Sequence, residues 1–412
     1  MSRIQQLINE LCPRGVPYKT IEEIAYKVFA GGTPTSSNDS YYGGDIPWLR
    51  SGEVNFNTIK ATELFITEAG FNNSSARWVK PHSVLLAMTG ATVARSAVNE
   101  IALTANQSVA AIEPKEDVNY KYLYFCISNM YEIIKGMSQG ALTSINLKII
   151  KSLRIPVPPL EVQDEIVKYL DNFTELTAEL TAELTARNNQ LAYYRDALMD
   201  FDSSVERKTI GDLSRIVTKQ TGFDYSNYIK PALLTKEIDG SIPYMQTKNF
   251  SGLKFEYNTD YFVPKNIVDQ FPKITLDEKC ILFSIVGASI GNVGLFPNDK
   301  KCFLGGAICV VKLNKNTNID FLYHFMMSKN GQKQIAQKTK GAGQATVTVE
   351  DIRNMAIPIP PKEEQDRVVS ILNKLDALCS NFTSGLPAEI AARQKQYEYY
   401  RDKLLTFKEL NA

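Results

Sequence analysis

The sequence predicts an α+β chain: two α/β domains with curved antiparallel sheets, separated by two long antiparallel coiled-coil helices and duplicated with pseudo-two-fold symmetry. Three observations carry this. Two proline-led segments recur nearly unchanged, a heptad pattern follows each, and the intervening stretches hold short β-branched and aromatic runs.

The duplication sets the boundaries. "IPVPPLEVQDEIV" (155–167) returns as "IPIPPKEEQDRVV" (357–369), an offset of 202, and "YYRDALMDF" (193–201) as "YYRDKLLTF" (399–407), an offset of 206. Looser echoes join "YKTIEEI" (18–24) to "RKTIGDL" (207–213), "DIPWL" (45–49) to "SIPYM" (241–245), and "VLLAMTGATVARSAV" (84–98) to "ILFSIVGASIGNVGL" (281–295). The order is a globular part at 1–152, a spacer at 153–206, a second globular part at 207–356 and a second spacer at 357–412. Spacers match closely, whereas globular parts match in outline.

In chain order, "RIQQLINEL" is a short helix resembling the tail of a spacer, and it is expected beside the C-terminal spacer. Runs such as "SVLLAM" and "KCILFSIV", bounded by Gly, Asn and Pro, read as strands. One helical segment near the end of each globular part ("YKYLYFCISNMYEIIKG", "NIDFLYHFMMSKNGQKQIA") breaks the β pattern. In the first spacer Ile166, Leu170, Phe173, Thr177, Leu180, Leu184, Arg187, Leu191, Tyr194, Leu198 and Phe201 step alternately by four and three, a heptad seam. Within it Glu-Leu-Thr-Ala repeats three times (175–186), so the segment reads as a spacer whose length matters. The second spacer keeps the seam but steps by four at Leu386 and Ile390, a stutter. Gly385 and Pro387 in "SGLP" (384–387) predict a break there.

A net charge of +1 hides an uneven distribution: residues 153–206 carry −7 and residues 207–356 carry +7. A basic globular segment suits nucleic-acid contact as well as plain solubility. No apolar run reaches the roughly 18 residues of a membrane span, and the N-terminus lacks signal-peptide features. Six cysteines (12, 126, 280, 302, 309, 379) form no C-x-x-C pair, the pattern of free thiols in a reducing cytoplasm.

Catalytic motifs are missing. His82 and His324, the only histidines, have no ligands at metal spacing and read as structural. "GASIGN" (287–292) lacks the Lys-Ser/Thr of a phosphate-binding loop, and "FAGGTPTSS" (29–37) reads as a turn. What the loops do offer is groups suited to base edges. Arg bridges guanine O6 and N7, and Asn or Gln pairs with adenine N6 and N7. "WLRSGEVN", "MTGATVARS" and "TANQS" follow or end strands in the first half; "MQTKN", "SIVGASIGN" and "KGAGQATVT" do so in the second. Each of them also fits an ordinary turn.

With the duplicated "IPVPPLEVQDEIV…YYRD", the tandem Glu-Leu-Thr-Ala spacer and "GDIPWLRSGEVN…GATVARSAV…NQSVAAI", the chain resembles the specificity subunits of type I restriction–modification systems, most like the type IC group. The resemblance covers essentially the whole chain. It implies two target-recognition domains, each reading half of a bipartite, asymmetric site in double-stranded DNA, with the spacers setting the unread gap. It implies two methylation subunits that use S-adenosylmethionine, and restriction (translocase) subunits that use ATP and Mg; no cofactor is expected in this chain. Carried onto these residues, the base-edge candidates are Arg50, Ser51, Thr89, Thr92, Arg95, Asn106 and Gln107 in the first domain. In the second they are Gln246, Lys248, Asn249, Ser289, Asn292 and Gln344. That domain departs from the first at "SIPYMQTKN" and has "LGGAICVV" (304–311) where an Asn-Gln pair is expected. Arg and Lys among the candidates also suit phosphates, which position without specifying. Two other classes remain open: a coiled-coil adaptor that binds proteins only, and the recognition region of a fused methyltransferase or nuclease. The second lacks an S-adenosylmethionine loop, an Asn-Pro-Pro-aromatic motif and a metal carboxylate cluster.

Overall fold

The computed structural model describes residues 3–138, 144–341, 345–380 and 385–410. It divides into two units, residues 1–179 with 391–412, and residues 180–390. Each combines one globular part with portions of both spacers.

In the first unit a five-stranded sheet runs in the order Ala25–Ala30, Val109–Pro114, Val84–Ala87, Ser96–Asn99, Asn57–Ile59. A four-stranded sheet runs Leu64–Ile66, Tyr42–Leu49, Leu103–Ala105, Trp78–Val79. Most neighbours are antiparallel, and each sheet adds one parallel pair, Thr58 opposite Val98 and Trp48 opposite Thr104. Side chains alternate across a strand, so the five-stranded sheet feeds two cores. Leu85, Ala87, Val109 and Ala111 meet Leu49, Leu103 and Ala105 of the other sheet. Val84, Leu86, Ala110 and Ile112 face helix Tyr120–Asn129 and the long helix Leu160–Leu198.

The second unit repeats the plan. Ser214–Lys219, Ile308–Leu313, Cys280–Ser284 and Val293–Phe296 form an antiparallel sheet; Phe262–Val263, Ile242–Met245, Cys302–Leu304 and Thr275–Leu276 form a second, again with one parallel pair. A two-stranded ribbon, Tyr18–Thr20 with Arg154–Pro156, ties the ends of the first globular part together. Arg207–Thr209 with Ala356–Pro358 does the same for the second. In both, a Thr closes a capping box on the following short helix, Thr20 with Glu23 and Thr209 with Asp212.

The spacers form helices Leu160–Leu198, Lys362–Ser380 and Leu386–Leu404, the last with Pro387 in its first turn. Residues 381–384, including Ser384 of the expected break, lie outside the described residues. In the first unit Tyr169 and Phe173 pack on Tyr400 at 5.4 and 5.8 Å between ring centres. In the second, Arg195 pairs with Asp376 at 3.1 Å. As the residue number rises along the long helix, that of its partner falls, an antiparallel pairing. In the first spacer the seam differs from expectation at two points, since Arg187 is exposed and the register shifts at Tyr194. Tyr194 is 40% exposed, and Arg195 and Met199 turn inward instead. An undistorted helix drifts off a 3.5-residue repeat, and past Leu191 the chain packs on the globular part, where Phe201 meets Phe321.

The N-terminal helix Arg3–Leu11 buries Ile4 in the core that contains Leu404 and Leu405, and Val16 exchanges backbone hydrogen bonds with Lys408 and Leu410. All six cysteines are free and buried. Burial pushes the thiols of Cys126, Cys302 and Cys309 up to about 12, so these are apolar core groups, not nucleophiles. No helix among the described residues is long and apolar enough to cross a membrane.

Candidate nucleic-acid interface

Strand Tyr42–Leu49 ends at Arg50, and a one-turn helix Ser51–Glu53 follows. The Glu53 carboxylate shapes that turn, accepting from the Arg50 backbone N–H and the Glu63 N–H, both at 2.9 Å. It thereby sets Glu63 beside Arg50, whose Nη2 donates to Glu63 Oε2 at 2.5 Å. Both side chains are about half exposed, so water screens the pair and an anionic ligand can compete for the guanidinium.

The other loops are stitched to this one. Asn106 N–H donates to Leu49 C=O at 2.9 Å, and Met88 N–H donates to Ser108 C=O at 2.8 Å. Thr33 Oγ1 donates to Gln107 Oε1, and Arg95 Nη1 donates to Asn55 Oδ1 at 3.0 Å. Thr89 bridges to Ser144, and Thr92 C=O accepts from Arg95 N–H at 3.0 Å. The turn at Gly90–Thr92 needs a left-handed residue at each end: Gly90 has φ +73° and Ala94 φ +68°. Gly is at ease there, whereas Ala is held by burial and a 2.8 Å bond from its N–H to Ala87 C=O. All seven candidates of the first domain, Arg50, Ser51, Thr89, Thr92, Arg95, Asn106 and Gln107, therefore gather at one edge.

The second domain builds the same edge with other side chains. Gln246 stands where Arg50 does, and Asn249 takes the role of Glu53, its Oδ1 accepting from Gln246 N–H at 2.9 Å. Asn249 is 3% exposed. It was expected to read a base edge; burial and that bond make it the brace of the turn instead. Lys248 is exposed and paired with Asp260. In the loop after Cys280–Ser284, Gly287 has φ +78° and Gly291 φ +95°, matching Gly90 and Ala94. Ser289 C=O accepts from Asn292 N–H at 3.1 Å, and Asn292 Nδ2 donates to Phe250 C=O at 2.7 Å, which holds this loop against the 250–255 hairpin. Gly305 and Gly306 occupy the places of Asn106 and Gln107, with Gly305 N–H donating to Met245 C=O at 2.8 Å. Gln344 lies outside the described residues.

Thr33, Glu53, Asn55 and Glu63 were missed from sequence. The i, i+3 spacing of Arg50/Glu53 and Gln246/Asn249, a cap signature, was the available signal. Among the described residues no group of three His, Cys, Asp or Glu is placed to hold a metal. His82 stacks on Tyr120 at 4.6 Å, and buried His324 bonds to Asn373.

The family model for the type I restriction modification DNA specificity domain matches the chain twice, over residues 13–188 and 203–392. The chain is 33% identical over 273 residues to the Escherichia coli type I restriction enzyme EcoR124I/EcoR124II specificity subunit, covering 62% of this chain and 63% of that relative. It is 27% identical over 386 residues to the EcoprrI specificity subunit of the same species, covering 86% of each. The solved S subunit of a type I restriction–modification system from M. genitalium has the same fold, with a TM-score of 0.55 at 13% identity over 95% of this chain and 96% of that one. The chain belongs to the type I restriction–modification DNA specificity family.

Proposed function

We propose that the chain is the specificity subunit of a type I restriction–modification complex and reads a bipartite, asymmetric site in double-stranded DNA. Residues 1–152 and 207–356 are the two target-recognition domains, each contacting one half-site; the spacers at 153–206 and 357–412 hold the gap and offer helical surfaces to two methylation subunits and to restriction subunits. The chain itself is non-catalytic, and S-adenosylmethionine, ATP and Mg act on the partner subunits, in the cytoplasm.

The observation that carries this reading is the recurrence of one loop edge in both units. The backbone braces repeat, and the side chains standing on them differ: Arg50 against Gln246, Asn106–Gln107 against Gly305–Gly306. A duplicated frame bearing different donors and acceptors suits two different half-sites. A protein-only adaptor has no need of two polar edges built alike. The test exchanges residues 1–152 for another family member's first domain and sequences the methylated motif of the host. One half of the motif should change while the other stays; a change in both, or in neither, overturns independent reading.

A further inference from the structure

Helix Lys329–Lys338, "KNGQKQIAQK", has no acidic residue, and none occurs from 321 to 349. Lys329 and Lys333 stand one turn apart on its exposed side, their ammonium groups in no ion pair among the described residues. Lys340 follows just beyond the helix, its side chain 72% exposed and loosely placed at 3.6 Å from Asp351. A cleft of about 420 Å³ along the helix adds Arg207, Lys333 and Gln337 to its lining, with Asp200 as its one acid. That acid accepts from Asn330 Nδ2 at 3.1 Å.

The helix is tied to the recognition edge. Gln332 Nε2 donates to Gly291 C=O at 3.0 Å, and Gly287 N–H donates to Ala345 C=O at 2.9 Å beyond the helix end. Its start is fixed by Lys329 N–H donating to Asp196 Oδ1 at 2.6 Å. The fold does not demand the charge: the matching stretch of the first domain, "YEIIKGMS", carries Glu132 and Lys135 and exposes Ile133 and Met137. Solubility is served by mixed signs, whereas a single-sign stripe beside polar loops creates a directed field.

We propose that Lys329, Lys333 and Lys340 form a phosphate-gripping ridge that seats the second domain on the duplex backbone beside its half-site. This rests on the specificity-subunit reading. Lysines are point charges on flexible stems, suited to phosphate oxygens and indifferent to base sequence.

The test changes all three to Gln in the full chain assembled with its methylation subunits. Binding to duplexes carrying the methylated motif or a scrambled one is measured over a salt series. The slope of log K against log salt should become shallower by about 0.9 per lost contact, up to about 2.7 in all, with affinity lost alike on both duplexes and the motif unchanged. A slope equal to wild type overturns the ridge. So does weakened subunit assembly with an unchanged slope, which would place the stripe against a protein. Lys301 and Lys315 sit at the opposite strand ends, and K301Q/K315Q should leave the slope intact; an equal effect there means net charge, not the ridge, is responsible. Wild type without preference for its motif overturns the specificity reading itself, and the ridge with it.

Discussion

Protonation of one buried imidazole should weaken the second unit as pH falls. His324 is fully buried in helix Ile319–Met327, its Nε2 sharing a 2.7 Å hydrogen bond with Asn373 Oδ1. Asp320 and Tyr323 approach from its own helix, Arg195 from the long helix and Asp376 from Lys362–Ser380. Burial pushes its pKa below the usual 6.5; the Asn373 bond opposes this and the Arg195 guanidinium adds to it. The unfolded chain therefore binds more protons than the folded one below pH 6.5. Stability is fully present above that value and is lost as pH drops through it toward the folded pKa. The slope is at most about 1.4 kcal/mol per pH unit, so the loss between about pH 6.5 and 5.0 is bounded near 2 kcal/mol. For a unit of this size that is about 4–8 °C in Tm. His324→Phe is the informative variant, because Phe125 lies six residues after the Asn119 cap of its helix just as His324 lies six after Asn318. Thermal unfolding of the full chain is followed at several pH values for wild type and variant. The difference between them cancels the carboxylates common to both. Parallel pH profiles would refute the argument.

Two further predictions concern the edge and the spacer. Arg50→Ala and Arg95→Ala should each cost about 1–3 kcal/mol of binding and relax one motif position where the guanidinium spans a guanine; a uniform loss with a shallower salt slope puts that residue on phosphate, and no loss sinks the assignment. Adding one Glu-Leu-Thr-Ala unit within 175–186 lengthens the helix by ~6 Å and turns it by about 40°. One base pair turns about 34–36°, so the methylated motif should gain one base pair of unread gap with both halves unchanged; an unchanged gap means the repeat is not the ruler.

Much of the fold is legible because its signals are local or repeated. The seam shows wherever one face of a helix stays apolar, and Ile166, Leu170 and Leu191 are buried accordingly. It fails at Tyr194, where the helix meets the globular part and a domain contact outweighs the coiled-coil register. The split of each globular part into two sheets is not legible. It depends on parallel partners such as Trp48 and Thr104, strands of different loops whose pairing is decided by tertiary packing, not by strand propensity.

The site divides along the same line. Small residues with one polar side chain after a strand mark the loops, and the structure brings them together. Which polar groups face outward is not written in residue type. Asn106 and Asn249 read alike in sequence, yet one lies half-buried at the edge and the other braces a turn from inside. The missing Asn-Gln pair of the second domain has a steric cause. A Cβ at Gly305 would come within 2.4 Å of Met245 C=O, and one at Gly306 within 3.1 Å of Gln220 Oε1. Gln220 itself stands where the first domain has Gly31, whose own Cβ would meet Ala105 C=O at 2.1 Å. Glycine is thus required at Gly31 against Ala105 in the first domain and at Gly305 against Met245 in the second. In the first, the bare strand end at Gly31 lies against the backbone of Ala105 and Asn106; in the second, the Gln220 side chain reaches Gly306 and the neighbouring loop is reduced to backbone. Transplanting Asn-Gln onto 305–306 therefore meets two different obstacles. The Gln220 side chain can swing aside for a residue at 306, whereas the Met245 carbonyl at 305 is backbone and does not yield, so changing Gln220 alone is not enough.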